Sequence, residues 1–161
     1  MSKLSSRPIS LIAVAFTLAG LRAMPATGQT VAPQAQLWDA AKTGDTTAMS
    51  AALKLGANVD SLDTRTNQNG RRALNWAAWF DQPAAIRLLV ARGAHINLGN
   101  VTGFTPLHHA AENGSLDAAR VLLALGADRK QPNAEGLTPV DVARAREQLA
   151  VAVLLDSLPK K

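Results

Sequence analysis

Residues 103–128 read GFTPLHHAAENGSLDAARVLLALGAD, a stretch that spells out two short helices with their punctuation. Thr105 before Pro106 is a helix start: the hydroxyl accepts from a free backbone N–H, and proline in the first turn loses no hydrogen bond. Leu107, Ala110 and Ala111 then share one helical face, with the alanines small enough for close approach of a neighbouring helix. Gly114 breaks this helix and Ser115 is placed to cap the next. There Ala118, Val121, Leu122 and Leu125 recur at three- and four-residue spacing to make an inner face. Gly126 ends the second helix in a left-handed conformation that costs glycine little. The polar run that follows, DRKQPNAE at 128–135, predicts a projecting turn.

The same punctuation recurs every 33 residues. Gly70, Gly103 and Gly136 keep this interval, as do Gly93 and Gly126, and the pairs Ala77-Ala78 and Ala110-Ala111. In phase, the units run 37–68, 69–102, 103–135 and 136–158. Unit three resembles the ankyrin repeat over its whole length, and the other units keep its frame more loosely. The resemblance implies an all-α repeat solenoid of about four stacked helix-turn-helix units with β-turn fingers. No unit buries its apolar face alone, so the units stack and the outer faces of the end units are expected to be polar. Composition agrees: 31 Ala and 22 Leu against 4% aromatic residues favour packed helices over a sheet sandwich.

Departures from the frame locate each unit. Trp38 stands where unit three has His108, which makes unit one a cap. Ala41 and Ala78 are 37 apart, and the four extra residues fall within 63–69, which lengthens the first finger. In unit two, Asp81-Gln82-Pro83 replaces the glycine turn, Asp tolerating the left-handed region and Pro opening the second helix. In unit four, Arg144 and Glu147 replace the second Ala and the breaking Gly, so poorly separated helices are expected there.

Lys3 and Arg7 precede thirteen uncharged residues, Ile9–Leu21, and small residues follow Pro25. This run is shorter than the ~20 apolar residues of a membrane span, and its pattern is that of an export signal. Residues 1–28 are read as that signal, with cleavage after Gly28, 29–36 as a lead-in and 159–161 as a tail. Export to a bacterial periplasm follows, with no stable membrane anchor. Removing Lys3, Arg7 and Arg22 lowers the formal charge from +5 to +2, which gives little support to a nucleic-acid partner. The absence of Cys excludes disulfides, thiolate metal sites and Cys nucleophiles.

His95, His108 and His109 are the only imidazoles. His108 is read as a structural hydrogen-bonding group, His109 as a surface contact and His95 as a loop residue. No second cluster supplies the remaining ligands of a metal site. No nucleophile elbow, phosphate loop or paired carboxylates occur, so no enzyme and no cofactor are expected. The informative residues are Trp76, Trp79 and Phe80, at variable positions of the first helix of unit two. With His109, Glu112 and Asn113 of unit three they compose an aromatic patch with a polar rim, as at protein-binding surfaces. The other reading is that one or both tryptophans fill space between units one and two. Arg71, Arg72, Arg129 and Lys130 are placed near finger tips, where they either meet an acidic partner or are simply solvated.

The resemblance implies a rigid, monomeric, non-enzymatic scaffold that binds another protein through its concave helix face and finger tips. A competing reading makes Trp76, Trp79 and His109 an aromatic groove for a flat molecule such as haem, accessory to an oxidative-stress enzyme such as catalase.

Overall fold

The computed structural model describes residues 31–65 and 68–157. The expected export signal, 1–28, and tail, 159–161, lie outside the described residues. Eight helices follow one another in pairs among the described residues: α1 (Pro33–Thr43) and α2 (Thr46–Lys54), α3 (Ala73–Trp79) and α4 (Pro83–Ala91), α5 (Pro106–Asn113) and α6 (Leu116–Ala124), α7 (Pro139–Ala145) and α8 (Leu149–Ser157). The first helices pack in the order α1, α3, α5, α7, and the second helices pack alongside as α2, α4, α6, α8. The architecture is therefore the all-α repeat solenoid that the 33-residue period predicts.

Packing explains the alanines. Ala41, Ala77, Ala78, Ala110, Ala111 and Ala143 are wholly buried between successive first helices, where a larger side chain would force the helices apart. Leu37, Met49, Leu74, Ile86, Leu89, Leu107, Leu122 and Val151 fill the layer beneath. Burying each of these larger side chains contributes roughly 1.5–3 kcal/mol. Adjacent fingers are joined by backbone hydrogen bonds, Val101 N to Asn69 O at 3.0 Å and Ala134 N to Thr102 O at 3.1 Å. Gly103 has φ +76°, and a Cβ there would lie 2.9 Å from the Ala134 nitrogen, so both backbone angle and finger contact demand glycine.

Four expectations are corrected. α1 begins at Pro33, so residues 33–36 are its first turn and not a separate lead-in. Gln34 clasps the backbone of Asn58 twice, accepting from its N–H at 2.8 Å and donating to its carbonyl at 3.1 Å. Ser115 does not cap α6 with its side chain. Its hydroxyl donates to Trp79 O at 2.8 Å, and the Ala118 N–H is met by Asp81 of the preceding unit at 2.7 Å. The helices of unit four are cleanly separated, because Glu147 itself adopts the left-handed conformation, φ +60°. The outer face of the last unit is not uniformly polar: Leu149 and Val153 are 73% and 67% exposed.

Glu147 is strained, since a left-handed backbone costs a non-glycine residue about 1–2 kcal/mol. Part of that gain is offset by the extra freedom of glycine in the unfolded chain, about 0.5–1 kcal/mol. Glu147→Gly is accordingly expected to raise stability by roughly 0.5–1 kcal/mol, read as a higher urea midpoint with an unchanged slope.

Candidate functional site

In each first helix one position carries a hydrogen-bonding side chain, which in units two and three ties the unit to the next. In unit three it is His108. Its Nδ1 accepts from the Thr105 N–H at 3.1 Å, so Nε2 carries the proton and donates to Leu137 O, 2.9 Å away at the base of the next unit. Asn75 occupies the same position in unit two, accepting from Arg72 N at 2.9 Å and donating to Phe104 O at 3.3 Å. In unit one the Trp38 indole donates to Ser61 O at 3.1 Å, and in unit four Asp141 accepts from Thr138 N at 2.9 Å. Three different side chains thus make the same link to a carbonyl further along, and His108 is structural.

Unit two is anchored to unit one by a buried carboxylate. Asp63, 0% exposed, pairs its backbone with Arg71. Its side chain accepts from Arg65 Nε at 2.8 Å, Arg65 Nη2 at 3.0 Å and the Trp76 indole at 3.1 Å. Burial opposes its ionisation, but these bonds outweigh burial and hold the carboxyl below the usual carboxylate range. Arg65 also reaches Asp39, at 2.9 Å, and Lys42 lies 3.1 Å from Asp39. The guanidinium of Arg65 beside it holds Asp39 below the usual range too. Trp76 is only 6% exposed, with Lys42 4.4 Å from the centre of its ring.

Beyond Trp76 the surface opens. Trp79 is half-buried, and Phe80, 44% exposed, stacks on Trp76 with centroids 6.0 Å apart. The Arg71 guanidinium lies 4.7 Å from the Trp76 ring centre and 4.4 Å from that of Trp79. His109 stands edge-on to Trp79 with centroids 6.0 Å apart and is 2% exposed. Neither ring nitrogen of His109 has a hydrogen-bond partner among the described residues. Glu112 Oε2 is 3.6 Å from its Nδ1, beyond hydrogen-bonding distance, and acts on it electrostatically. Glu112 Oε1 accepts from Arg146 at 2.9 Å, and Asn113 donates to Trp79 O at 2.8 Å.

Residues 89–143 match the family model described as ankyrin repeats (many copies), which spans the end of unit two, all of unit three and the start of unit four. The chain carries ankyrin repeats. Among curated proteins, the ankyrin repeat domain-containing protein SAT10 of Stachybotrys chartarum is 30% identical over 84 residues, 52% of this chain and 4% of that protein. Inversin-B and Inversin-A of Xenopus laevis are each 40% identical over 53 residues, 33% of this chain and 5% of theirs. The matched region is thus a small fraction of each relative, and the similarity is one of repeats. Ankyrin repeats generally mediate protein–protein interaction, and the family is typically non-enzymatic.

Within the ankyrin array the candidate contacts sort by exposure. Trp76 is a correction: its ring closes the gap between units one and two and its indole is committed to Asp63, so it is no free contact. His109 is a second correction, because Trp79 and Phe104 rings cover it, the latter with centroids 5.6 Å away. With both buried, the aromatic groove imagined for a flat haem-like molecule is not formed. The basic finger cluster is not assembled either. Arg71 lies on the two indoles, Arg72 donates to Asp60 O, and Arg129 donates to Leu155 O near the end of α8 at 2.6 Å. Lys130 is exposed on its finger. Phe80, Trp79, Glu112 and Asn113 remain on one accessible face with Arg71. Sequence reasoning missed Asp63, and it missed Asn100 and Asn133, whose side chains each accept from two backbone N–H groups of a finger at 2.9–3.1 Å. The 33-residue spacing of those asparagines was the available signal. His95 proves to be tied, with Nδ1 2.5 Å from Asp60 Oδ2.

Burial pushes the imidazoles of His108 and His109 below their ordinary values, in His109 against the pull of Glu112. Above about pH 6.5 the imidazoles are neutral in both folded and unfolded chains and stability is level in their titration. Below it the unfolded chain takes up protons that the folded one refuses, so stability falls. Asp63 and Asp39, held low in the folded state, stabilise it above the usual carboxylate range and lose that contribution at still lower pH. Thermal unfolding followed from pH 8 to pH 3 is expected to show this two-step acid loss; a midpoint level down to pH 5 contradicts the burial of the imidazoles.

Proposed function

We propose that this ankyrin array is an exported, monomeric docking module that binds another protein through the face carrying Trp79, Phe80, Arg71, Glu112 and Asn113. One observation carries the reading: Phe80 is 44% exposed beside a half-buried tryptophan on which an arginine is stacked. Aromatic rings and arginine held rigid by a packed scaffold, with a polar rim, make up the centre of many protein-binding surfaces. Rigidity matters because ordering such side chains on binding otherwise costs about 0.5–1.5 kcal/mol each. Here Trp79 is held by Arg71 and His109, and its carbonyl by Asn113 and Ser115. The basic start, the thirteen uncharged residues and the small residues before Gln29 support export, and a periplasm is the compartment that fits.

Capture from a periplasmic extract with the tagged chain tests the docking reading. Trp79→Ala/Phe80→Ala is expected to lose proteins that wild type and the control Leu55→Ala retain, Leu55 being exposed at the end of α2. Identical sets from all three contradict the docking face. Export is checked on the same material: an N-terminus at Gln29 in the periplasmic fraction is expected, and an intact Met1 in the cytosol contradicts it.

A further inference from the structure

The docking face contains a cavity of about 220 Å³ between the first and second fingers and α5, reaching Glu135 of the third finger, lined by Arg71, Asn100, Phe104, His109, Glu112 and Glu135 among others. It is the size of one side chain, below the ~300–1,000 Å³ of small-molecule sites. Two of its walls carry unmet hydrogen-bonding capacity. His109 is 2% exposed, and neither ring nitrogen has a partner among the described residues. Arg71 has its guanidinium against the faces of Trp76 and Trp79, and no carboxylate among the described residues lies within ion-pair distance of it. The other charged groups of the cavity are engaged or solvated: Glu112 is bound to Arg146, and Glu135 is exposed at the rim.

Resting on the docking reading, we propose that this cavity receives one carboxylate side chain of the partner, held by the Arg71 guanidinium and a ring N–H of His109. The indole faces fix the plane of the guanidinium and leave its N–H edge for a two-point hydrogen bond, the geometry that matches a carboxylate. Phe104 in the cavity wall restricts water around the pair, which strengthens a charge-assisted bond. A lysine side chain would meet the Arg71 charge in the same cavity. A dianionic phosphate would meet Glu112 and Glu135 with twice the charge of a carboxylate. The partner is therefore predicted to present a single Asp or Glu from a segment narrow enough to enter between two fingers.

The test uses the full chain, labelled with nitrogen-15, and acetylated, amidated pentapeptides Ala-Ala-X-Ala-Ala with Glu, Gln, Lys or phosphoserine at X. The Glu peptide is expected to shift the Trp79 indole N–H saturably at millimolar concentration. The Gln, Lys and phosphoserine peptides are expected to bind at least tenfold more weakly. Arg71→Gln should weaken the Glu peptide at least tenfold, and Arg71→Lys, which keeps charge without the fork, should fall between; amide resonances of α5 and α6 report whether either variant remains folded. Equal binding of Glu and Gln, stronger binding of Lys or phosphoserine, an unmoved Trp79 or an indifferent Arg71→Gln overturns the carboxylate site. None of those outcomes touches the docking reading, which stands or falls on the capture experiment.

Discussion

Replacing Trp76 by Ala is expected to cost about 3–5 kcal/mol, the range for removing a large buried aromatic. The ring is 6% exposed, stacks on Phe80, sits under Lys42 and Arg71, and donates to the fully buried Asp63. Its loss leaves both a cavity and a weakened carboxylate cluster at the junction of units one and two. Trp76→Phe separates the two effects. It keeps most of the packing and removes the indole N–H, and a hydrogen bond to a charged group contributes about 1.5–3 kcal/mol. Urea denaturation of the two variants is expected to rank Ala well below Phe. A loss under about 1 kcal/mol for Trp76→Ala is the outcome for a solvent-facing ring, and contradicts its role as filler.

The second large effect is at His108. Alanine there strands the buried Thr105 N–H, at about 1–3 kcal/mol, removes one of the two bonds to the Leu137 carbonyl, which still accepts from Asn133 N at 2.9 Å, and leaves a cavity besides. A loss on the order of 3 kcal/mol is expected. Asparagine should recover most of it, because Asn75 already makes the corresponding pair of bonds in unit two. The damage should also be local. In a repeat array each unit is stabilised by its neighbours, so cutting the link from α5 to Leu137 weakens unit four first. Hydrogen exchange is expected to speed up in α7 and α8 while α3 and α4 keep their protection. Uniform loss of protection would show that His108 acts through the whole array and not through one junction.

How much of this was legible follows from what each residue answers to. The fold was legible because helix breakers and small residues respond to local geometry, and local geometry repeats: Gly103, Gly136, Ala77 and Ala110 announce the period wherever they fall. The tie to the next unit was legible for His108 because it sits inside a fully formed unit. Its equivalents, Asn75 and Trp38, make the same kind of link with different chemistry, which residue identity does not reveal. Trp76 and Trp79 were not separable, since three residues along a short helix places both on overlapping faces. What divides them is Asp63, delivered from the irregular first finger, where the period is broken and register is lost. Glu147 shows the same limit: its side chain argued against a turn, while the helices on either side of it require one. The exposed face was in part foreseen, through Phe80 and Trp79. Arg71 was named among the candidate contacts too, but as a finger-tip charge, and its place over the two indoles was not legible until they were positioned.

The central claim is that the Phe80 face is where a partner binds. A photoreactive phenylalanine analogue at position 80, compared with the same analogue at Arg87 on the exposed surface of α4, tests it most directly. Irradiation of cells that produce the chain is expected to give discrete cross-linked protein adducts from position 80, absent from position 87 and lost in the Trp79→Ala background. The same adducts from both positions, or none from position 80, contradict the claim.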